Sequence, residues 1–338
     1  MPVYTLKAID NYLRDMNSNS IFGGKINVPG GDFRQVLPVV PRVPPAAVLD
    51  ACLKRSSMWD NFHQMQLTSK LRRTNANEQD FSRLLLQLGS GFLQSSLDNL
   101  AEDTIDIRGA CICNNSSVSD IFDNCTTEEM KNRVTLSPKN SDCLAVNEEI
   151  LSRFHTETKT YLSTNSVTSA NEEEAQNYPM KFINYLTHSG MPLHHLNLKA
   201  GTIIILPYNG TRLEVLQLHK HCIEASVISG FHSHMRLLIP RIKLIRSDAN
   251  IPFILHQTQF PVRLSYSMTI NKAQGQTFDE VGIHLPQPCF THGQLYAALS
   301  RARAMNSVRV KMIPQNESTQ DRGRGITYIR NIVYREVL

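Results

Sequence analysis

Val262, Leu264, Tyr266, Met268 and Ile270 alternate with polar neighbours, the period of a β-strand with one face buried. A polar loop with a single glycine follows, NKAQGQT (Asn271–Thr277), and then the alternation resumes at Val281, Ile283 and Leu285. The period switches to helical over THGQLYAALSRAR, where Leu295, Ala298 and Leu299 form an apolar stripe. Thr291 and Gln294 have capping-box spacing at the start of that helix, and Arg301 and Arg303 stand at its end, where positive charge suits the helix dipole. Val308 to Met312 reads as a closing strand. Strand, polar loop, strand, helix, strand requires an α/β layer that displays its loops along one edge.

The remaining chain is consistent with a fold of that class. Its 338 residues suffice for about two domains with real cores. Hydrophobic residues make up 41% and charged residues 19%, and no apolar run nears the roughly 20 residues of a membrane-spanning helix. No signal-peptide pattern opens the chain, and seven scattered cysteines suit a reducing interior. A formal charge of +5 identifies no partner. Helices are predicted over residues 2–16, 45–58 and 77–88, the last capped by Asn77. Residues 95–130 read as loop with weak helix, and Arg133–Phe154 as a strand, a turn at Pro138 and a helix. Residues 163–178 read as a linker or mobile loop, and Leu196–Ile245 as a small β-barrel or meander.

Four polar constellations fall at the ends of these elements: Asp32/Arg34/Gln35 in GGDFRQVLPVV after the alternating Ile26 and Val28; Arg72 in LTSKLR; Thr269 to Thr277; and Arg301/Arg303. Strand ends are where open α/β sheets place ligands. Singly, each has a structural explanation. Arg301 at a helix end serves the dipole, Asp32 caps a turn, and NKAQGQT is an ordinary connection.

Together, GGDFRQVLPVVP, LTSKLR, RVTLSPKN, MTINKAQGQT and GQLYAALSRAR resemble the successive motifs of the Pif-type DNA helicases of superfamily one, in particular the helicase region of Helitron-like transposons. The resemblance runs from the first helix to about Met312. It implies an α/β fold: residues 1–62 as the tail of a first RecA-like domain, 63–195 and 261–315 as a second, 196–260 as an inserted SH3-like β subdomain, and 316–338 as a tail. It implies ATP-dependent 5′→3′ unwinding or translocation, with ATP and Mg²⁺ as cofactors and single-stranded DNA or DNA forks as partners. Nuclear residence and work in DNA repair, recombination, telomere maintenance or transposition go with it. Gln35 then reaches the γ-phosphate region, Arg72 and Arg301 are arginine fingers, Gly275 and Gln276 turn toward the nucleotide, and Thr269, Asn271 and Lys272 hold DNA. Phosphoryl transfer to water needs this kind of positive charge and oriented donors around the β/γ oxygens.

The chain departs from the pattern in several places. No GxxxxGK[ST] occurs: Gly23-Gly24-Lys25 is followed by Ile26, and position 19 is Asn. No acidic pair follows an apolar strand; Asp279-Glu280 comes after the glycine loop. Lys70 replaces an expected asparagine-like residue, Pro29 replaces a strand residue, and the connection from Leu206 to Tyr208 is short. The expectation is a C-terminal piece of such a motor, inactive by itself in ATP hydrolysis. Competing readings are a noncatalytic single-stranded DNA-binding module, a decayed transposon product, a metal site from His219/His221/Cys222, His232/His234 and Cys111/Cys113, and a hydrolase using Cys289 or Ser300. None of the metal spacings matches a zinc pattern, and no metal is expected.

Overall fold

The computed structural model describes residues 2–38, 40, 43–66, 76–93, 103–108, 111–113, 117–168, 178–186, 190–208, 210–230, 232–247, 253–312, 320–321 and 326–338. The chain forms two compact units, one of residues 1–114, 273–279 and 285–338, the other of residues 115–272 and 280–284.

The first unit begins with helix Val3–Met16, which buries Leu6 and Asp10. The Asp10 carboxylate accepts from Arg14 Nε at 2.8 Å and from the Phe22 amide at 2.6 Å, which holds Phe22 in a left-handed turn. The strand expected around Ile26 and Val28 does not form. Those side chains are 95% and 78% exposed, and among the described residues no strand lies alongside to share backbone hydrogen bonds. The helix expected over 45–58 is shorter, Pro45–Asp50, with 3₁₀ turns at Leu53–Arg55 and Trp59–Asn61. It stops because Cys52 turns extended and buries its side chain with Leu37 and Val337. Helix Ala76–Gly89 buries Phe81 and Leu88, and because it already includes Ala76, Asn77 lies inside it rather than capping it. Thr104–Arg108, expected as loop, is a strand; its ladder with Ile326–Arg330 supplies order that its local sequence does not announce.

In the second unit, Arg133–Ser137 is flanked by Ser267–Thr269 and Glu280–Leu285, both parallel to it. Val134 and Leu136 of the central strand are fully buried, as a parallel strand covered on both faces requires. Helices Ser117–Phe122 and Asn140–Ser152 supply Val118, Ile121, Phe122, Val146 and Ile150 to a core shared with Ile203 and Tyr266. Strand, Pro138 turn and helix stand where the sequence places them.

The β-rich region is an antiparallel five-stranded sheet, ordered Arg263–Leu264, Ile203–Ile205, Arg212–Leu218, Cys222–Val227 and Arg236–Pro240. It encloses Tyr161, Leu198, Leu213, Ile223 and Phe260. Ile242–Ser247 leaves it to pair with Ile254–Gln259, which in turn pairs with Thr164–Thr168. That last strand corrects the linker expected at 163–178. Its polar residues take their order from the ladder to Ile254–Thr258 and from Asn165, whose side chain bonds Ser163 and Asn184. The rest of that segment, 169–177, lies outside the described residues.

The alternating run at 262–270 also differs from expectation, being two strands in two sheets. Arg263–Leu264 pairs with Ile203–Ile205, and Ser267–Thr269 joins the parallel sheet. The crossover is fixed by Tyr266, whose hydroxyl accepts from the Ile203 amide at 2.9 Å, and by Asn147, which binds the backbone of Tyr266 and Ser267.

Candidate functional site

The site is built in the first unit on the turn Asp32–Gln35. The Gln35 amide donates to the Asp32 carbonyl at 3.1 Å, and Asp32 Oδ1 accepts from the Arg34 amide at 3.0 Å. This is the turn-capping role that local chemistry gives aspartate. The other carboxylate oxygen, Oδ2, accepts from the Tyr296 hydroxyl at 2.7 Å. Tyr296 lies on helix Gln294–Leu299, the helix of the THGQLYAALSRAR segment.

Two more residues of that segment hold the turn. The Tyr334 amide donates to His292 Nδ1 at 2.7 Å, so the neutral ring carries its proton on Nε2, which donates to the Phe33 carbonyl at 2.8 Å. His292 is fully buried, stacks on Tyr334 at 5.4 Å, and burial pushes its pKa down. Gly293 is left-handed at φ 66°, and a Cβ there would lie 2.2 Å from the Arg34 carbonyl oxygen and 2.8 Å from the Gln35 carbonyl carbon. Only glycine lets the two backbones approach so closely. The expected Thr291 capping box is therefore absent: Gly293 is the N-cap with no side-chain cap, and Gln294 Oε1 accepts from the Phe290 amide instead.

Arg301 follows the same helix and is 6% exposed. Its Nε donates to the Ala297 carbonyl at 2.9 Å, one Nη to the carbonyls of Ala273 and Gln276 at 3.3 and 3.1 Å, and the other to Ser300 Oγ at 2.8 Å. The first contact is the helix-end role; the second pair ties the helix to the loop that carries Gly275 and Gln276. Gly275 is left-handed at φ 82°, as a tight turn requires. Burial lowers the Arg301 pKa, while Tyr296 and the Asp32 carboxylate oppose that shift. Burial, reinforced by Asp32, keeps the Tyr296 phenol far above its ordinary range.

Of the residues singled out from sequence, Gln35, Gly275, Gln276 and Arg301 thus fall in one compact unit. Thr269, Asn271 and Lys272 belong to the other, at the end of the strand that pairs with Arg133–Ser137. There Asn271 Oδ1 is buried without a hydrogen-bond partner, and burial pushes the nearby Cys143 thiol up to about 11 against a slight opposing pull from Lys272. Arg72 lies outside the described residues. Sequence reasoning missed His292, Gly293 and Tyr296, marking only Thr291 and Gln294 as a cap and Leu295, Ala298 and Leu299 as a stripe; the glycine between two polar residues at the helix start was the available signal.

The hydrolase reading does not survive the geometry. Cys289 is 1% exposed with its thiol pushed up to about 12, and the Ser300 hydroxyl is spent on the Ala297 carbonyl. Among the described residues, no three His, Cys, Asp or Glu side chains converge as a metal-holding group, and no helix is long and apolar enough to cross a membrane.

The PIF1-like helicase family matches residues 2–99. The ATP-dependent DNA helicase Pif1 of Campylobacter jejuni is 25% identical over 313 residues, 86% of this chain and 64% of that protein. The chain is similar to the Pif1-type helicases. The human ATP-dependent DNA helicase PIF1 is 46% identical over 57 residues, 17% of this chain and 9% of its own. The fold is shared with crystal structures of Bacteroides Pif1 bound to ssDNA (TM-score 0.66, 22% identity, 98% of this chain and 75% of that one) and of Pif1 from Candida albicans (0.64, 20%, 100% and 72%). It is thus the mixed α/β fold of the Pif1 helicases, with their RecA-like domains.

Proposed function

We propose that this chain forms the part of an ATP-dependent DNA helicase that senses the γ-phosphate and grips single-stranded DNA. The observation that carries the reading is the convergence of the Gln35 turn, the Gly275–Gln276 loop and Arg301 around one helix, through Asp32–Tyr296, His292–Phe33 and the Arg301 contacts to Ala273 and Gln276. ATP is the substrate. Arg301 and Arg72 place positive charge on its phosphate oxygens, Gln35 orients the attacking water or the γ-phosphate, and Gly275 and Gln276 offer backbone to the nucleotide. Under this reading the charge this chain contributes to the transition state comes from arginine.

Thr269, Asn271 and Lys272 take the phosphates of single-stranded DNA or of a fork without reading its bases. The domain reading that goes with this has residues 1–62 ending a first RecA-like domain and 63–195 with 261–315 forming a second. The five-stranded sheet around Tyr161 and Phe260 would be its SH3-like insertion, at 196–260. Nuclear residence and service in repair, recombination, telomere maintenance or Helitron movement are finer steps of the same reading.

The test is DNA-stimulated phosphate release from ATP together with binding of an oligo-dT strand at several salt concentrations. Release that falls about 10³-fold in Arg301→Ala supports the finger. Salt-sensitive binding with no release supports the noncatalytic module, and absence of both overturns the reading.

A further inference from the structure

We propose that His292, Gly293 and Tyr296 are positioning residues: together they fix where the Gln35 amide stands relative to Arg301. A turn such as Asp32–Gln35 can make few bonds for itself. Its internal bonds are Gln35 amide to Asp32 carbonyl, Arg34 amide to Asp32 Oδ1 and an ion pair of Arg34 with Asp32 at 3.5 Å, and none of them fixes its place against the rest of the unit.

The five residues 292–296 supply that place at three points. His292 Nε2 takes the Phe33 carbonyl at 2.8 Å, Tyr296 takes Asp32 Oδ2 at 2.7 Å, and the bare Cα of Gly293 sits against the backbone of Arg34 and Gln35. The His292 ring is itself fixed by the Tyr334 amide and by stacking on Tyr334, so it cannot rotate away without breaking a buried bond. Gly89 closes the far side, where an added Cβ would lie 2.8 Å from the Tyr296 ring and 2.9 Å from Arg34 Cδ.

Arg301 comes five residues after Tyr296, two residues past the end of the helix, with its Nε on the Ala297 carbonyl. The same short helix therefore carries the anchor of the turn, and the guanidinium follows directly after its end. A change that moves the helix moves both groups together, and a change that breaks only the Tyr296–Asp32 bond lets Gln35 drift while Arg301 stays on Ala297. The proposal rests on the reading above for what Gln35 and Arg301 do, but the clamp itself can be tested without it.

Trp59 is the single tryptophan of the chain and packs edge-on against Phe33 at 5.5 Å, so its emission and acrylamide quenching report the turn directly. In Tyr296→Phe, hydrogen exchange at the Arg34 and Gln35 amides is expected to speed up at least tenfold and Trp59 quenching to rise, with exchange over Arg212–Val227 unchanged. His292→Ala should do the same at Phe33–Gln35, and His292→Gln, which can donate and accept in the same directions, should restore protection. Unchanged exchange at residues 33–35 in both Tyr296→Phe and His292→Ala overturns the proposal, whatever the wild type does with nucleotide.

The catalytic arm uses ATP and oligo-dT. Tyr296→Phe should lower kcat at least tenfold with KM for ATP changed less than threefold. A wild type that hydrolyses ATP while Tyr296→Phe matches it in kcat also overturns the proposal. A wild type that hydrolyses nothing is the outcome expected of a chain inactive by itself, and with the exchange changes present it leaves the clamp established.

Discussion

Replacing Asn147 by alanine should strongly destabilise the second unit. Asn147 is 5% exposed on helix Asn140–Ser152, and its side chain makes three bonds to a strand 119 and 120 residues away: Oδ1 accepts from the amides of Tyr266 at 3.0 Å and Ser267 at 2.9 Å, and Nδ2 donates to the Ser267 carbonyl at 2.8 Å. Tyr266 is fully buried and Ser267 is 3% exposed, so water does not replace these bonds freely. Orphaning a buried polar group costs about 1–3 kcal/mol, so three groups put the loss near 4 kcal/mol once partial relaxation is allowed. That is a large share of a domain stability of about 5–15 kcal/mol. Urea unfolding followed by far-ultraviolet circular dichroism would read it as a lowered midpoint at unchanged slope.

Asn147→Asp sharpens the test. Its carboxylate keeps both amide bonds but sets a negative charge against the Ser267 carbonyl, and burial adds to the penalty, so the folded-state pKa of the new acid is raised. A raised folded pKa means that stability relative to wild type recovers as pH falls, because only the protonated acid can donate to that carbonyl. An alanine variant losing less than about 1 kcal/mol, together with an aspartate variant insensitive to pH, would refute the reasoning by showing that these backbone groups find other partners.

Two further outcomes follow. His292, whose folded pKa burial holds below the ordinary 6.5 against the opposing pull of Asp32 and Glu336, should make stability fall as pH drops below about 6.5, since the unfolded chain then binds the proton more readily. His292→Gln should flatten that part of the stability profile, and identical profiles would exclude the assignment. Gly282→Ala should cost about 1–3 kcal/mol, because its Cβ would lie 2.9 Å from Ile121 Cγ1 and 3.0 Å from Thr135 Oγ1, and Ile121→Val should recover part of the loss in thermal unfolding.

What could be read from sequence was whatever is written locally. The strand, Pro138 turn and helix of Arg133–Ser152 announce themselves by a change of period, and the structure has them in place. The alternation from Val262 to Ile270 correctly marked a buried face, yet the switch of sheets within it depends on Asn147 and Ile203, which no window around Tyr266 contains. Thr164–Thr168 looked like linker because its polar residues are ordered only by a ladder to residues 254–258. Ile26 and Val28 failed in the opposite sense, since two alternating residues without a paired neighbour carry no burial. In the candidate site the motif residues were legible and their supports were not. Gly293 looked like the interior of a cap because the backbone it must admit, Arg34–Gln35, lies some 258 residues earlier.

The bland and the functional accounts of Arg301 are two uses of the same donors. Its guanidinium has five N–H groups, and bonds to Ala297, Ala273, Gln276 and Ser300 engage most of them. Arg212, 8% exposed in the other unit, is held in the same manner by the Ser265 hydroxyl and carbonyl and the Lys131 carbonyl, so hydrogen-bond pattern alone does not separate a staple from a finger. Neutral acceptors do distinguish both from Arg153, Arg133 and Arg330, which sit against carboxylates. The acceptors that hold Arg301 are neutral, and a phosphate oxygen that competes for its donors adds charge pairing to the hydrogen bond that a carbonyl gave. The carbonyls it would displace belong to Ala273 and Gln276, the two ends of the turn through Gly275. Under the proposed reading, phosphate capture and release of that turn are therefore one event, and Arg301→Ala removes the charge and the restraint on the turn together.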